Sequence, residues 1–203
     1  MTALLEQLIK SPTLPEILDE LQARLNAERA RREKFYQEIT EDMKAEFING
    51  EVILHSPARE KHLAVRDHLS DLLRAYVRTR NLELVRGEKA LCVFPRNDYE
   101  PDVCFFGLEK ARQITPDLLR FPIPDFIAEV LSPSTEDKDR GEKLQDYAAH
   151  GVREYWIIDP DAEILEQYLA HESGYRLALK SGSGEVCSVV IPDFCIPVRA
   201  LFD

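Results

Sequence analysis

Apolar residues follow a helical period in the first forty residues of the chain. Four leucines recur there at spacings of four, three and four residues: Leu14, Leu18, Leu21 and Leu25. Such spacing places them on one face of a helix. No strand pattern interrupts this segment, so we expect an N-terminal helical segment over residues 1–40 that docks on residues 41–203 or on a second subunit. A frayed, solvated helix is the alternative.

A different pattern begins near residue 46. Asn49-Gly50 lies between two apolar runs and predicts a β-hairpin over residues 46–54. After Pro57, leucines recur on one helical face, and this predicts a helix. Three strands are expected next, at residues 82–94, 101–106 and 126–131. The connection 107–124 has room for a short helix.

The clearest helix of the sequence follows the third of these strands. Ser134 or Thr135 is a suitable N-cap, and Gly151 is a suitable C-cap. A strand at 154–158 and three short strands at 164–169, 175–179 and 186–191 complete the chain. The order is helix, three strands, helix and strand, with a hairpin before it and strands after it. It predicts an α/β fold class, an α+β arrangement around a mixed sheet.

Composition narrows the possible partners. Lys and Arg number 26 against 37 Asp and Glu, which gives a net charge of −11. Attraction of the whole molecule to DNA or to an anionic membrane is therefore excluded as a main driving force. No apolar run is long enough to cross a bilayer, and the N-terminus has no basic start typical of a secretory signal. We expect a cytoplasmic protein without a membrane partner.

The four cysteines form no CxxC pair. They fit small apolar side chains kept reduced in the cytoplasm better than a zinc site or a disulfide framework: Cys92, Cys104, Cys187 and Cys195. Dinucleotide, Walker A, zinc-protease and serine-hydrolase motifs are also absent from the sequence.

Two carboxylates occupy positions where a charge is costly. Asp102 opens the apolar run at 103–106, and Glu129 lies within the run at 126–131. Two acids on adjacent strands can share a divalent cation with oxygen ligands, typically Mg²⁺. In the alternative, Glu129 faces solvent and pairs with a lysine.

Lys143 lies on the helix that follows Glu129 and one turn before Tyr147, so both side chains face the same region. If this helix packs antiparallel to the strand, the Lys143 ammonium approaches the Glu129 carboxylate. It could then orient a water molecule or stabilise negative charge. A solvated helix lysine is the alternative. Gly141 in the middle of the predicted helix costs about 1 kcal/mol relative to Ala and indicates close backbone approach.

Several motifs together resemble one family. They are Pro-Asp-Val at 101–103, Glu-Val-Leu-Ser-Pro-Ser-Thr at 129–135, Asp-Arg-Gly-Glu-Lys-Leu at 139–144 and Gly-Val-Arg-Glu-Tyr-Trp-Ile-Ile-Asp-Pro at 151–160. With Glu-Phe-Ile-Asn-Gly-Glu-Val at 46–52 and His62, they resemble the Uma2 family of restriction endonucleases, also called DUF820. The resemblance covers roughly residues 40–170.

The resemblance implies a PD-(D/E)XK, restriction-endonuclease-like core. Asp102 and Glu129 correspond to the two acids that bind Mg²⁺ or Mn²⁺, helped by a main-chain carbonyl near Val130. Leu131 stands where the wider nuclease pattern has its lysine, and Lys143 on the following helix takes that catalytic role. Three further residues are possible additions to the site: Glu46, Glu51 and His62.

The resulting hypothesis is a Mg²⁺-dependent endonuclease that hydrolyses phosphodiester bonds in DNA. Because the chain is acidic, DNA would bind through a local cleft whose cations come from Arg59, Lys61, Arg66 and residues 138–140. A catalytically silent nuclease-fold module for binding or assembly is the alternative. We also expect a homodimer, since the leucine face of the N-terminal segment needs a cover.

Overall fold

Two β-sheets share a core in the middle of the molecule, and helices cover their other faces. The computed structural model describes residues 2–80 and 82–203. The helices are α1 (Thr2–Ile9), α2 (Leu14–Glu38), α3 (Glu60–Arg80), α4 (Leu108–Ala111), α5 (Glu136–Arg140) and α6 (Glu142–Ala149), with a 3₁₀ turn at Val198–Leu201. The strands are β1 (Ala45–Ile48), β2 (Glu51–Leu54), β3 (Leu84–Gly87), β4 (Leu91–Val93), β5 (Asp98–Tyr99), β6 (Val103–Phe106), β7 (Arg120–Phe121), β8 (Phe126–Val130), β9 (Glu154–Asp159), β10 (Ile164–His171), β11 (Gly174–Ser181), β12 (Glu185–Cys187) and β13 (Cys195–Pro197).

The larger sheet has six strands in the order β11-β10-β9-β8-β6-β3. Strands β8 and β9 are parallel and are joined through α5 and α6, whereas the other neighbours are antiparallel. This mixed sheet confirms the predicted α/β class. The smaller sheet has five strands in the order β2-β1-β5-β4-β7.

Alternation along the central strands divides the core in two. In β8, Phe126 and Ala128 pack on the side of α3, and Ile127 packs on the side of the smaller sheet. In β6, Val103 and Cys104 divide in the same way. Since successive side chains of a strand point to opposite faces, Asp102 and Glu129 both belong to the face toward the smaller sheet.

The predicted hairpin is confirmed. Ile48 pairs with Glu51, which leaves Asn49 and Gly50 as a two-residue turn with φ of 51° and 86°. Positive φ at both positions is the requirement of a type I′ turn, and Asn-Gly meets it at little steric cost.

The long strand predicted over 82–94 is wrong. Glu88 and Lys89 both have positive φ, at 41° and 57°, and they separate β3 from β4. Two successive left-handed residues cannot continue a strand, so β3 enters the larger sheet and β4 the smaller one.

The single helix predicted after Thr135 is also divided. Gly141 adopts φ −110° and ψ −93°, which ends α5 and begins α6. A Cβ at this position would lie 2.7 Å from the Asp137 carbonyl oxygen, so the close approach expected at this glycine is confirmed. Gly151 has φ of 84° and follows α6, as predicted for a C-terminal cap.

The N-terminal segment is helical as expected, and its second half docks on the smaller sheet. Phe35 of α2 is buried and its ring lies 5.8 Å from that of Phe47 in β1. Arg32 donates two hydrogen bonds to the Asp98 carboxylate, at 2.6 and 2.7 Å. The division of the chain at residue 40 stays a prediction.

The prediction that all four cysteines are reduced is wrong for two of them. Strands β12 and β13 pair Cys187 with Cys195, with 4.1 Å between their Cα atoms, and the two form a disulfide. Cys92 and Cys104 are free and buried, as expected. Within the described ranges, no helix combines the length and apolar character that crossing a bilayer requires.

One fully buried carboxylate joins the C-terminal strands to the larger sheet. The Glu154 carboxylate of β9 accepts hydrogen bonds from the Trp156 indole, the Gln167 amide, the Ser188 hydroxyl and the backbone of Val189 and Val190. Charge-assisted hydrogen bonds of this kind compensate for the cost of burying the acid.

We expect Glu154→Ala to reduce the free energy of unfolding by about 3 kcal/mol, because several buried donors lose their acceptor together. Urea unfolding of the variant measures the loss. Glu172→Ala, an exposed acid in the turn between β10 and β11, is the control and should change stability little. A similar stability for both variants would show that Glu154 is not a structural anchor.

Candidate active site

Asp102 and Glu129 lie side by side, with Glu129 on β8 and Asp102 directly before the adjacent strand β6. The antiparallel register of β6 and β8 pairs Val103 with Ala128, and the two acids come one residue further along toward the same end. Both side chains are almost fully buried, with 5% of Asp102 and 3% of Glu129 exposed. The predicted neighbouring position of these acids is confirmed, although Asp102 lies one residue before β6, and the solvent-facing alternative for Glu129 is wrong.

Backbone hydrogen bonds hold the two carboxylates together. The Asp102 N–H donates to Glu129 Oε2 at 3.1 Å, and the Val130 N–H donates to Asp102 Oδ2 at 3.0 Å. The Glu129 carboxylate therefore accepts the backbone N–H of Asp102, and the Asp102 carboxylate accepts that of the residue after Glu129. The side chains converge because the strands themselves fix them, and this gives the pair a defined geometry.

Lys143 of α6 joins these two acids, and together they begin a cluster of buried charged side chains. Its ammonium lies 2.9 Å from Glu129 Oε1 and 3.1 Å from Glu46 Oε1. It lies 3.2 Å from Asp139 Oδ1 as well. The Tyr147 hydroxyl, one turn further along α6, donates to Glu129 Oε1 at 2.9 Å. Lys143 is only 3% exposed, so the solvated-lysine alternative is wrong.

Of the two hairpin acids, the structure brings only Glu46 into the cluster. Glu46 lies in β1, where all four residues are buried. Its Oε1 accepts the Glu100 N–H at 3.0 Å, and its Oε2 lies 3.2 Å from His55 Nε2. Glu51 does not belong to the site, because it lies beyond the turn on the exposed strand β2 and does not line the cavity.

Two basic groups contact the outer side of Asp102. His62, at the start of α3, places Nε2 3.4 Å from Asp102 Oδ1. Lys44, just before β1, places its ammonium 3.3 Å from the same oxygen. The structure thus brings His62 to the cleft, as proposed from the sequence, and adds Lys44.

These carboxyls have different pKa values because they differ in burial and in the basic groups that they contact. Burial raises the pKa of Glu129 to about 8. The positive charge of Lys143 opposes this rise only in part, because Lys143 also pairs with Glu46 and Asp139. Burial likewise raises the pKa of Asp139. Burial also acts on Glu46, yet Lys143 and His55 hold its pKa at about 2. One ammonium among three acids leaves a proton on the cluster near neutral pH.

Asp102 is the acid that stays ionised most readily. Burial opposes its ionisation, but the contact with His62, the charge of Lys44 and the Val130 N–H together bring its pKa below the ordinary range. Glu100 behaves oppositely, because burial raises the pKa of this carboxyl to about 7. The cluster therefore contains both an acid that ionises readily, Asp102, and acids that hold their protons more strongly.

The cluster lines a cavity of about 300 Å³ between the hairpin, β6, β8 and α5. Glu100 lies on its wall, and Glu100 Oε2 is buried with no hydrogen-bond partner among residues 2–80 and 82–203. Arg59, Lys61 and Lys138 lie on the lining as well. The cavity therefore combines buried acids with cations, as a site for an anionic substrate and a cation requires.

Sequence reasoning missed three members of the cluster: Lys44, Glu100 and Asp139. Lys44 and Glu100 lie in short connections next to strands, where no period indicates which way a side chain points. Asp139 opens the motif at 139–144 and is buried beside Lys143. Its spacing of four residues from Lys143 was the available signal.

The comparisons with known proteins agree with this geometry. The model of the Uma2 family, described as "Putative restriction endonuclease", matches residues 32–199. The chain belongs to the Uma2 family. Every residue of the cluster lies within the matched range, whereas α1 and the first half of α2 lie before it.

This Uma2 protein is similar to a curated protein and to a solved structure. It is 31% identical over 127 residues to an uncharacterized protein of Synechocystis, sll1609, covering 62% of this chain and 71% of the relative. It is also similar to the crystal structure of a "putative nuclease belonging to DUF820" from Anabaena variabilis, with a TM-score of 0.72. That likeness has 19% identity, covers 84% of this chain and 96% of the other, and shows the shared fold.

The donor set of the Uma2 cluster fits a hard divalent cation. Asp102, Glu129 and the unpartnered Glu100 Oε2 offer oxygen atoms, which Mg²⁺ prefers, and the open cavity leaves room for water and substrate oxygens. A search of the described residues for three possible metal ligands within 4.8 Å of one another finds one such group, and it lies outside the cavity, at Glu185, Cys187 and Cys195. The disulfide occupies both sulfurs of that group.

The raised pKa of Glu129 predicts how stability depends on pH. The folded protein keeps a proton on Glu129 up to about pH 8, whereas the unfolded chain releases it near the ordinary pKa of 4.5. This proton therefore stabilises the folded protein. Its contribution to the free energy of unfolding is complete below the pKa of Glu129 in the unfolded chain, and it is lost as pH rises through the pKa of Glu129 in the folded protein. Glu100 acts in the same direction, with a pKa of about 7.

We therefore expect the unfolding temperature of the metal-free protein to fall as pH rises from about 5 to about 8. Glu129→Gln removes the titrating group and should flatten this dependence. Glu172→Gln should keep the slope of the wild type. Thermal unfolding followed by circular dichroism tests the expectation, and equal slopes for wild type and Glu129→Gln would contradict it.

Proposed function

We propose that this Uma2 protein is a metal-dependent endonuclease that hydrolyses phosphodiester bonds in DNA. The observation that carries the proposal is the meeting of Asp102, Glu129 and Lys143 in one cavity, with both carboxylates fixed by backbone hydrogen bonds. Two acids and an ammonium are the groups that this chemistry needs. Family membership supports the same reaction class.

Asp102 and Glu129 would hold the cation, Mg²⁺ or Mn²⁺. When bound, such a cation polarises the scissile phosphate and lowers the pKa of a bound water. Asp102 is suited to this role because its carboxyl stays ionised. Glu129 accepts hydrogen bonds from Lys143 and Tyr147, and burial raises its pKa to about 8, so it would have to release a proton before it could act as a full ligand.

Lys143 would stabilise the negative charge that develops on the phosphate oxygens. Burial within a group of acids keeps its ammonium charged, and the pKa of Lys143 lies well above its ordinary value because Glu129, Glu46 and Asp139 outweigh the cost of burial. Three carboxylates from separate elements also fix its position. Preorganisation of this kind is a main source of transition-state stabilisation.

Cations at the mouth of the cavity explain how an acidic chain could bind DNA locally. Arg59, Lys61 and Lys138 line the cavity, and Lys61 forms an ion pair at its rim. Arg66 and Arg140, also expected to contribute, each form ion pairs with two neighbouring acids. Over the described ranges Arg59 and Lys138 have no ion-pair partner, so they are the cations available to phosphates.

We expect Asp102→Asn to reduce plasmid nicking in Mg²⁺ or Mn²⁺ by at least about 100-fold, because the acid that stays ionised is lost from the site. Gel assays of supercoiled plasmid give the rate, and calorimetry of Mg²⁺ binding gives the affinity. Glu172→Gln, far in sequence from the cluster, is the control.

The same assay separates the nuclease from the silent module. Equal nicking by wild type and Asp102→Asn would overturn the assignment of this residue. DNA binding without metal-dependent nicking by the folded wild type would favour the binding module instead.

A second expectation concerns the mouth of the cavity. Arg59→Ala and Lys138→Ala should each weaken DNA binding and reduce the slope of log affinity against log salt by about 1, because each removes one phosphate contact. Arg78→Ala, an exposed residue near the other end of α3, is the matched control. Fluorescence anisotropy across a salt series measures the slopes, and equal slopes for all three variants would place the DNA elsewhere.

A further inference from the structure

The exposed face of the hairpin formed by β12 and β13 carries three groups that can bind a metal ion. In both strands the middle residue is buried and its two neighbours are exposed. Because successive side chains of a strand point to opposite faces, Glu185 and Cys187 lie on the same outer face as Cys195. The register places Cys187 directly opposite Cys195. One ligand atom from each of these three residues lies within 4.8 Å of the other two.

Apolar contacts on the inner face of this hairpin hold the two cysteines opposite each other. Val186 and Ile196, which alternate with the possible ligands, are 1% and 6% exposed and pack in the core on the side of α3. Next to the cysteine pair, the Ser188 N–H donates to the Phe194 carbonyl oxygen at 2.8 Å. Phe194 is itself buried, and its ring lies 5.1 Å from that of Tyr76 in α3. These contacts fasten both strands to the domain.

Polar contacts anchor the hairpin to the larger sheet as well. The Gln167 amide of β10 donates to the Cys187 carbonyl oxygen at 2.8 Å. The Glu154 carboxylate of β9 accepts the Ser188 hydroxyl and the Val190 N–H in the turn between the two strands. None of these contacts passes through a sulfur atom. We therefore expect reduction of the disulfide to leave the hairpin in place and the two thiols adjacent, as a preorganised dithiol.

We propose that the reduced hairpin binds Zn²⁺, a thiophilic divalent cation, through Cys187, Cys195 and Glu185, and that the disulfide is the closed form of this site. Two thiolates and a carboxylate belong to the ligands that Zn²⁺ takes in proteins. Three protein ligands leave the fourth position of a tetrahedral site to water, which reaches the exposed face of the hairpin. Mg²⁺ prefers oxygen ligands, so the hairpin and the cavity select different cations.

The dimensions of the hairpin fit such a site. In a tetrahedral zinc site with Zn–S bonds of about 2.3 Å, the two sulfurs lie about 3.8 Å apart. The Cα atoms of Cys187 and Cys195 are 4.1 Å apart, so two parallel side chains reach this separation by rotation about their Cα–Cβ bonds. A sulfur and a carboxylate oxygen on one Zn²⁺ lie about 3.6 Å apart. Glu185 Oε2 already lies 3.8 Å from Cys187 Sγ.

A two-electron reduction opens the site. A dithiol reductant attacks the bond between Cys187 and Cys195, supplies two electrons and two protons, and leaves as its own cyclic disulfide. Both cysteines are then thiols. Zn²⁺ displaces the two thiol protons when it binds, so two H⁺ are released for each cation. A disulfide oxidant that takes two electrons from the thiolates forms the bond again and releases the cation.

The experiment compares the reduced and the oxidised form of the full chain. The protein is reduced with dithiothreitol, freed of the reagent without oxygen, and titrated with Zn²⁺ by calorimetry. In a parallel titration the probe is Cd²⁺, whose ultraviolet absorption reports bonds to thiolate. We expect the reduced chain to bind one more cation than the oxidised chain and to show an absorption that the oxidised chain lacks. The oxidised chain keeps the Cys92 and Cys104 thiols and the acidic cavity, so it is the control for both.

Two variants assign the ligands. Cys187→Ser should weaken binding of the additional cation by at least about 100-fold, and Glu185→Gln by at least about 10-fold, because loss of even an outer partner of a ligand typically costs about 10- to 100-fold in affinity. Glu185→Gln keeps both cysteines, so it tests the site even if Cys187→Ser loses stability with its disulfide. Glu172→Gln alters an exposed acid in another turn and is the matched control, which should bind the cation as the wild type does.

Two results would overturn the proposal. One is a reduced chain that binds no more cation than the oxidised chain, including the case in which the hairpin loses its structure on reduction. The other is an equal affinity of Glu185→Gln and Glu172→Gln, which would contradict the three-ligand site. Neither measurement uses DNA hydrolysis, so the test is independent of the proposed function.

Discussion

A single buried ammonium group joins the separate parts of this protein. Lys143 of α6 contacts Glu46 of the hairpin, Glu129 of the larger sheet and Asp139 of α5. Without this cation, three acids would face one another in a region of low polarity, and at least two would have to become neutral. Because the contacts reach both sheets, the interaction that stabilises the arrangement is also the one that builds the cavity.

The position of the lysine depends on a backbone feature rather than on a charge. Gly141 ends one helix and begins the next, and α6 then carries Lys143 and Tyr147 to the same Glu129 oxygen. A side chain at residue 141 would collide with the Asp137 carbonyl. The route from β8 to the cluster is therefore short and tightly bent. This bend allows Lys143 to approach Glu129 from a helix, whereas the chain directly after β8 carries Leu131.

Much of the site could be predicted from local patterns. Asp102 and Glu129 were recognisable because a charge within an apolar run needs a reason, and Lys143 because it shares a helix face with Tyr147. The missing members, such as Lys44 and Glu100, lie in short connections whose direction is set by tertiary packing. The break at Glu88 and Lys89 escaped detection for a similar reason, since neither residue type signals positive φ as Gly or Asn does.

The wide separation of the cluster along the chain has a consequence for the order of folding. Lys44 and Asp102 meet across 58 residues, and Lys143 must reach Glu46 from a later part of the sequence. Contacts of such long range close late, because the loop entropy between them has to be overcome first. A nascent or partly folded chain thus contains the acids and the lysine but not the cavity. The proposed hydrolysis would therefore begin only when the segments that carry Glu46, Asp102, Glu129 and Lys143 have come together.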